Sequence, residues 1–321
     1  MRTKNKLHKA TLTFTTLLTI ALLALIGGGG QLAVGFPVKI TDDRCKEVAV
    51  PKRPERIVTL LPLYAEILVD LGAAGRIVGV ADSPDNPPDV ERLPKVGPTS
   101  NPNRELIVAL APDVVFGATD FNKFREALEA AKLTTVTTGC FRGTPDFGSI
   151  NGVADVFKAI RAVATASEES PTKASALIGQ ISEEVVSIEG AVLDSPKPTV
   201  AVLYPDASGK TPPFAAGRGT PENEAITRAG GQNALSKLDG YPQISLEELL
   251  RLDPEFIFTD PSQIKSITSD GRLQGLKAVR GGKVCGIKAS QWTSSRVGRT
   301  LRAIAETLHP QAFGKEPKPC A

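Results

Sequence analysis

The chain has 321 residues, 23% of them charged and 41% hydrophobic, which excludes a disordered polymer and leaves room for two domains with separate cores. The net charge of +3 does not mark a nucleic-acid binder, because Arg2, Lys4, Lys6 and Lys9 all fall in the first 35 residues, where no acid stands. The remainder is near neutral and offers no basic footprint for a polyanion.

Taken in order, a basic start precedes an uncharged run from Ala10 to Ile26 and a break at Gly27–Gly30. This is the layout of an export signal over residues 1–35, with Ala33-Val34-Gly35 placing cleavage before Phe36. The first cysteine, Cys45, comes too late for a lipoprotein signal; the rival reading is a retained membrane anchor. Residues 36–148 read as a first α/β lobe. Val38–Ile40 and Glu47–Val50 flank a polar Asp42-Asp43-Arg44 turn, as in a hairpin. Ile57–Leu61 is a strand, Ala65–Leu71 a helix stopped by Gly72, and Ile77–Val80 a second strand, so the order predicts a βαβ unit and a parallel sheet. A proline-studded loop, Ser83 to Pro88, follows. Next come a short helix opened at Asn101–Asn103, strand Val114–Phe116, a helix capped by Asp120, and strand Thr134–Thr138.

Residues 149–195 are helical with a break at Ser170-Pro171; the helix from Pro171 to Leu193 spans roughly 33 Å and would run as a strut between lobes. Residues 196–309 read as a second α/β lobe, and residues 310–321 as a tail. In this lobe strand Thr199–Leu203 leads to a helix capped at Thr220-Pro221. A capping box at Ser245–Glu248 opens the next helix. Strand Phe256–Thr259, a long polar loop, strand Lys283–Ile287 and a helix with Val297, Leu301, Ile304 and Leu308 on its core face complete it.

One segment is written twice. Shifting Glu105–Phe116 by 142 positions brings Glu105 onto Glu247, Leu110 onto Leu252, Pro112 onto Pro254, Asp113 onto Glu255 and Phe116 onto Phe258. Such an echo predicts two pseudo-symmetric lobes, each with one carboxylate on the first turn of an equivalent helix.

The chain is poor in catalytic groups. Its two histidines are His8, in the signal, and His309, at the end of the last helix, so a Ser-His-Asp or Cys-His pair is not expected. No phosphate-binding glycine loop opens a helix after a strand. Cys45, Cys140, Cys285 and Cys320 fit no zinc spacing, but in an exported chain they are disulfide candidates, with three complete pairings open. A binding protein remains. Ligands of open parallel sheets sit outside the strand carboxyl ends. There the loops carry Tyr64, Thr99, Ser100, Asp120, Phe141 and Arg142 in the first lobe, and Phe214, Arg218, Tyr241, Trp292 and Arg296 in the second. These are the candidate ligand-binding residues; Asp82, Tyr204, Asp260 and Gln291 stand in the same loops. No metal or cofactor site is expected.

Several segments together resemble the ABC-transporter substrate-binding proteins for iron-siderophores, haem and cobalamin. They are Ile40–Asp43, Val50–Val58, Ala65–Leu68, Leu71-Gly72, Pro94–Gly97, Asn101–Asn103, Leu110–Asp113, Gly217–Thr220, Ala229–Asn233 and Ser245–Glu247. The likeness covers about residues 38–309. It implies two α/β lobes with mainly parallel sheets joined by a single long helix, a chelate held between them, and a monomer partnered by ABC permease and ATPase subunits. It also implies that Glu105 and Glu247 dock to arginines of the permease. Cys45 departs from the family's usual glycine, and Gly298-Arg299 from its usual Pro-Arg. Aromatic residues are 5%, low for a cobalamin pocket, which ranks ferric siderophore first, cobalamin second and haem third. The alternatives are a direct divalent-metal receptor and an exported α/β enzyme using cleft carboxylates such as Asp120 or Asp260.

Overall fold

Parallel pairing, read from the strand registers, dominates both halves of the chain. The computed structural model describes residues 35–119, 123–140, 150–205 and 211–320, so the segment read as an export signal lies outside the described residues, Gly35 apart. A hairpin leads. β1 (Val38–Thr41) and β2 (Glu47–Val50) pair antiparallel, with Val38 opposite Val50 and Thr41 opposite Glu47. The acids of its polar turn are buried. Asp42 and Asp43 are each 1% exposed. Asp43 receives both terminal nitrogens of Arg125, at 2.5 and 2.7 Å, and Asp42 receives the Arg44 side chain at 2.7 Å.

The first lobe is built from β3 (Ile57–Thr59), α1 (Pro62–Asp70), β4 (Ile77–Asp82), β5 (Lys95–Pro98), α2 (Arg104–Ala109), β6 (Val114–Phe116), α3 (Phe124–Ala130) and β7 (Thr135–Val136). Its sheet is wholly parallel in the order β5-β4-β3-β6-β7, around a core of Val58, Leu60, Val96, Ile107, Val115 and Leu128. α1 ends at Leu71, and Gly72 takes φ +83°, the left-handed turn expected of it. β5 is the strand that periodicity did not show. It is short, lies between two prolines, and is held from outside the ladder by the Asn103 amide on the Val96 carbonyl at 2.7 Å.

Two helices follow, α4 (Val153–Ala166) and α5 (Pro171–Val192), separated at the expected break, where the Ser170 hydroxyl accepts from the Thr172 amide. α5 buries Ala174, Ile178, Ile181, Val185, Ile188 and Val192, a stripe at helical spacing. Its ends are held by different lobes. Near the start, Lys173 Nζ bonds the Leu71 carbonyl at 3.0 Å; toward the end, Glu189 pairs with Arg228 at 2.5 Å.

The second lobe comprises β8 (Thr199–Tyr204), β9 (Phe214–Ala215), α6 (Pro221–Arg228), β10 (Gln232–Asn233), α7 (Leu246–Leu252), β11 (Phe256–Thr259), α8 (Ile264–Thr268), α9 (Lys277–Arg280), β12 (Val284–Gly286) and α10 (Val297–Leu308). The order is β10-β8-β11-β12, all parallel, with β9 antiparallel on β8. The polar loop expected between β11 and β12 is folded into α8, α9 and short 3-10 turns. Asp260 and Asp270 cap those turns by accepting from Ser262 and Arg272 amides at 2.9 Å. The α7 capping box is half formed. Ser245 accepts from the Glu248 amide, but Glu248 spends its carboxylate on Arg251.

The sequence echo is a structural one. In the first lobe the Asp113 carboxylate accepts from the Glu55 and Arg56 amides at 2.9 Å, fixing the start of β3. In the second the Glu255 carboxylate accepts from the Thr199 amide at 3.1 Å, fixing the start of β8. The helices before them end alike, with Ala111 at φ +44° and Asp253 at φ +40° ahead of Pro112 and Pro254. These sites are 142 positions apart in every case. The cysteines pair as Cys45–Cys140 and Cys285–Cys320, one bridge in each lobe. Cys45 sits at φ +60°, a left-handed conformation that glycine adopts at no steric cost, which is the physical sense of its departure from the family pattern. The residues after Leu308 do not trail free. They make a turn over Pro310–Phe313, and the Cys320 amide bonds the Gly282 carbonyl at 2.9 Å.

Candidate functional site

Loops at the carboxyl ends of β4, β11 and β12 enclose a cavity of about 520 Å³ that draws on both lobes. The first lobe contributes Glu66 of α1 and the loop Pro84–Pro88; the second contributes Pro261, Gly286–Lys288, Ser294 and Arg296, with Arg299 of α10. The proline loop cannot form a ladder, so side chains hold it: Asn86 Nδ2 donates to the Ala81 carbonyl at 2.7 Å and the Ser83 hydroxyl accepts from the Asp85 amide. Polar contacts cross between the lobes. Lys288 meets Asp85 at 2.8 Å, the Ser295 hydroxyl donates to Asp70 at 2.7 Å, and Arg296 lies 4.0 Å from Asp70.

Glu66 is the unusual group of this cavity. It is 8% exposed, its Oε2 has no hydrogen-bond partner, and Ser294 of the opposite lobe lines the same cavity. Burial pushes its pKa up to about 7; the Ser294 hydroxyl and Arg296 pull it down, while Asp70 and Asp85 push it further up.

A second constellation lies on the second lobe. Tyr204, at the end of β8, and Tyr241 both donate to Glu222 on the first turn of α6, at 2.5 and 2.9 Å. Their rings meet edge to face at 6.2 Å. Burial first, and then the Glu222 charge, raise both phenols above their ordinary range, so they stay protonated donors. Tyr241 nonetheless keeps 47% of its surface exposed, and neighbouring Phe214 keeps 49%. Phe214 bridges to Gln243 two residues beyond Tyr241. The two exposed aromatic faces stand beside a hydrogen-bonded base.

The sequence candidates are thus scattered. Arg296 lines the cavity, and Phe214 and Tyr241 are exposed side chains of the second lobe, outside it. Arg218 is exposed and already paired with Asp239, at 2.7 and 3.0 Å. Thr99 and Ser100 are exposed in the turn between β5 and α2. Two expectations are corrected. Tyr64 is 1% exposed, stacked on Phe116, with its hydroxyl bonded to Thr138 and its pKa pushed by burial to about 12. Trp292 is 2% exposed and packs edge-on against Phe258, plugging its own lobe. Neither offers ring surface to a ligand here. Asp120, Phe141 and Arg142 lie outside the described residues. Sequence reasoning missed Glu66, Glu222 and Lys288. Glu222 was hidden as an ordinary first-turn acid, whereas Glu66 carried one usable signal, a carboxylate inside the apolar run Ala65–Leu68.

Glu105 and Glu247 are both exposed at the second position of their helices, α2 and α7. Each carboxyl lies below its ordinary range, chiefly through a bond to its own backbone amide. Among the described residues no group of three or more His, Cys, Asp or Glu side chains converges to hold a metal ion. A cavity of about 720 Å³ between α10, Phe258 and the tail takes nothing from the first lobe, so it cannot hold a ligand between the two.

Comparison with known proteins gives a consistent picture. Residues 57–290 match the family described as periplasmic binding protein. The ABC transporter substrate-binding lipoprotein YvrC of Bacillus subtilis (strain 168) is 25% identical over 282 residues, 87% of either chain. A vitamin B12-binding protein of Vibrio parahaemolyticus is 28% identical over 78% of this chain and 87% of its own. Among solved structures, one of an ABC-type Fe3+-hydroxamate transport system from Saccharomonospora viridis superposes with a TM-score of 0.72 at 22% identity, covering 86% of this chain and all of the other.

Proposed function

This chain belongs to the periplasmic binding protein family, and from that premise we propose that it is the extracytoplasmic solute-binding subunit of an ABC importer, capturing a metal chelate between its lobes. The observation that carries the reading is the cavity at the strand carboxyl ends, walled by both lobes and lying where open parallel sheets bind ligands. Arg296 and Arg299 on its wall suit carboxylate, amide or phosphate groups on the chelate rim. Phe214 and Tyr241 supply the apolar contact that a bulky ring or chelate shell needs. Export of the mature chain agrees with its two disulfides.

Sequence alone ranked ferric siderophore ahead of cobalamin. The relative named for vitamin B12, aligned over 78% of this chain, supports cobalamin as the first candidate, and the ferric hydroxamate system with the same fold keeps the siderophore second. The test is a visible absorption spectrum of protein purified from its native host, followed by equilibrium titration with cyanocobalamin and with a ferric hydroxamate. A corrinoid spectrum and saturable cyanocobalamin binding are expected. A colourless protein that binds neither chelate would remove the reading.

A further inference from the structure

We infer that Glu66 and Asp70 of α1, facing Ser294, Ser295 and Arg296 of the opposite lobe, form a proton-operated latch that holds the lobes together. The geometry has three parts. The Glu66 carboxyl is buried at the seam, unpartnered at Oε2, in the cavity that Ser294 of the opposite lobe also lines. One helical turn away, Asp70 accepts the Ser295 hydroxyl at 2.7 Å and faces Arg296 at 4.0 Å. The segment that receives both acids is continuous, and the Arg296 amide closes back on the Ser294 hydroxyl at 2.8 Å, so it moves as one piece.

All the charges facing Glu66 can be named. Asp70 is on its own helix and Asp85 on the proline loop; Lys288 and Arg296 come from the second lobe and Arg299 from α10. Lys288 is engaged with Asp85 and Arg296 with Asp70. A second anion at Glu66 would therefore share already divided cations while losing its water. When Glu66 is neutral the seam carries no such cost. Opening the lobes would rehydrate the group, so ionisation favours separation and protonation favours closure. This latch rests on the fold rather than on the chelate, and it works without ligand.

The chain carries its own reporter. Trp292, its single tryptophan, is buried two residues before Ser294. In the ligand-free, full mature protein, selectively excited Trp292 emission should change with pH, with a midpoint near 7, and Glu66→Gln should abolish that transition. Two further variants test direction. Arg296→Ala, which removes a charge that lowers the Glu66 pKa, should move the midpoint up; Asp85→Asn, which removes one that raises it, should move it down. Burial holds His309 below its ordinary range, and it lies at the far end of α10, roughly 18 Å along the helix, bonded to the Gly230 carbonyl. A wild-type emission that stays flat, a transition retained in Glu66→Gln, or midpoints that do not move apart in the two charge variants would overturn the latch.

Discussion

At the scale of single residues, buried charge decides most. Arg125 and Asp43 are each 1% exposed and bonded through two nitrogens, so removing the guanidinium leaves Asp43 buried without its counter-charge. Arg125→Ala should cost on the order of 3–5 kcal/mol, read as a lowered denaturant midpoint. Replacing the pair by apolar residues of similar volume should cost much less. Tyr64→Phe leaves the Thr138 amide without its acceptor and should lose about 1–3 kcal/mol by the same measurement. Glu66 adds a pH dependence of unusual sign for a carboxylate. Its folded pKa, about 7, lies above its ordinary 4.5, so the folded protein holds the extra proton. The stabilisation is complete below pH 4.5 and is lost as pH rises toward 7, unlike that of an ion-paired acid, which is lost on acidification. Thermal unfolding midpoints of wild type should fall across that window, and those of Glu66→Gln should stay level over it.

At the scale of elements, the chain was legible wherever one local rule governed. Proline at the first helical position, glycine after the last, and an apolar stripe gave α5, α6 and α10 nearly to the residue. β5 was illegible because its two prolines and Gly97 suppress strand propensity, and its place is set by partners distant in sequence. The site was legible only in outline. Loop position showed which segments could face a ligand, but whether Tyr64 or Trp292 pointed outward depended on packing that no single loop encodes. Glu105 and Glu247 belong to this scale, since what makes them notable is the match between α2 and α7. Reversing both to Arg should abolish uptake in cells while chelate affinity in solution is unchanged; uptake that survives would exclude these helices as the permease contact. Gly298 marks another local fit. A Cβ there would press on the Glu184 carboxylate of α5, so the missing side chain at α10 leaves room for that strut residue.

At the scale of the whole molecule, two sheets share one plan, and the strut connects them. Asp113 and Glu255 perform the same task 142 positions apart, each clamping the first strand of its own lobe. The plan is therefore repeated in backbone hydrogen bonds as well as in sequence. Between the lobes the structure relies on helix packing and on the polar seam at Asp70, Asp85 and Lys288. Nothing covalent spans the gap apart from the chain itself, because each disulfide closes within one lobe.

That placement governs how the protein can be made. Cys45 ties the opening hairpin to the end of β7 across 95 positions, and Cys285 ties β12 to the tail across 35. Both bridges join segments distant in sequence, so an intact lobe requires an oxidising environment. Material produced in a reducing cytoplasm would have a loosened hairpin and an unpinned tail on otherwise correct sheets. It would pass a test of secondary structure and still differ from the disulfide-bonded form.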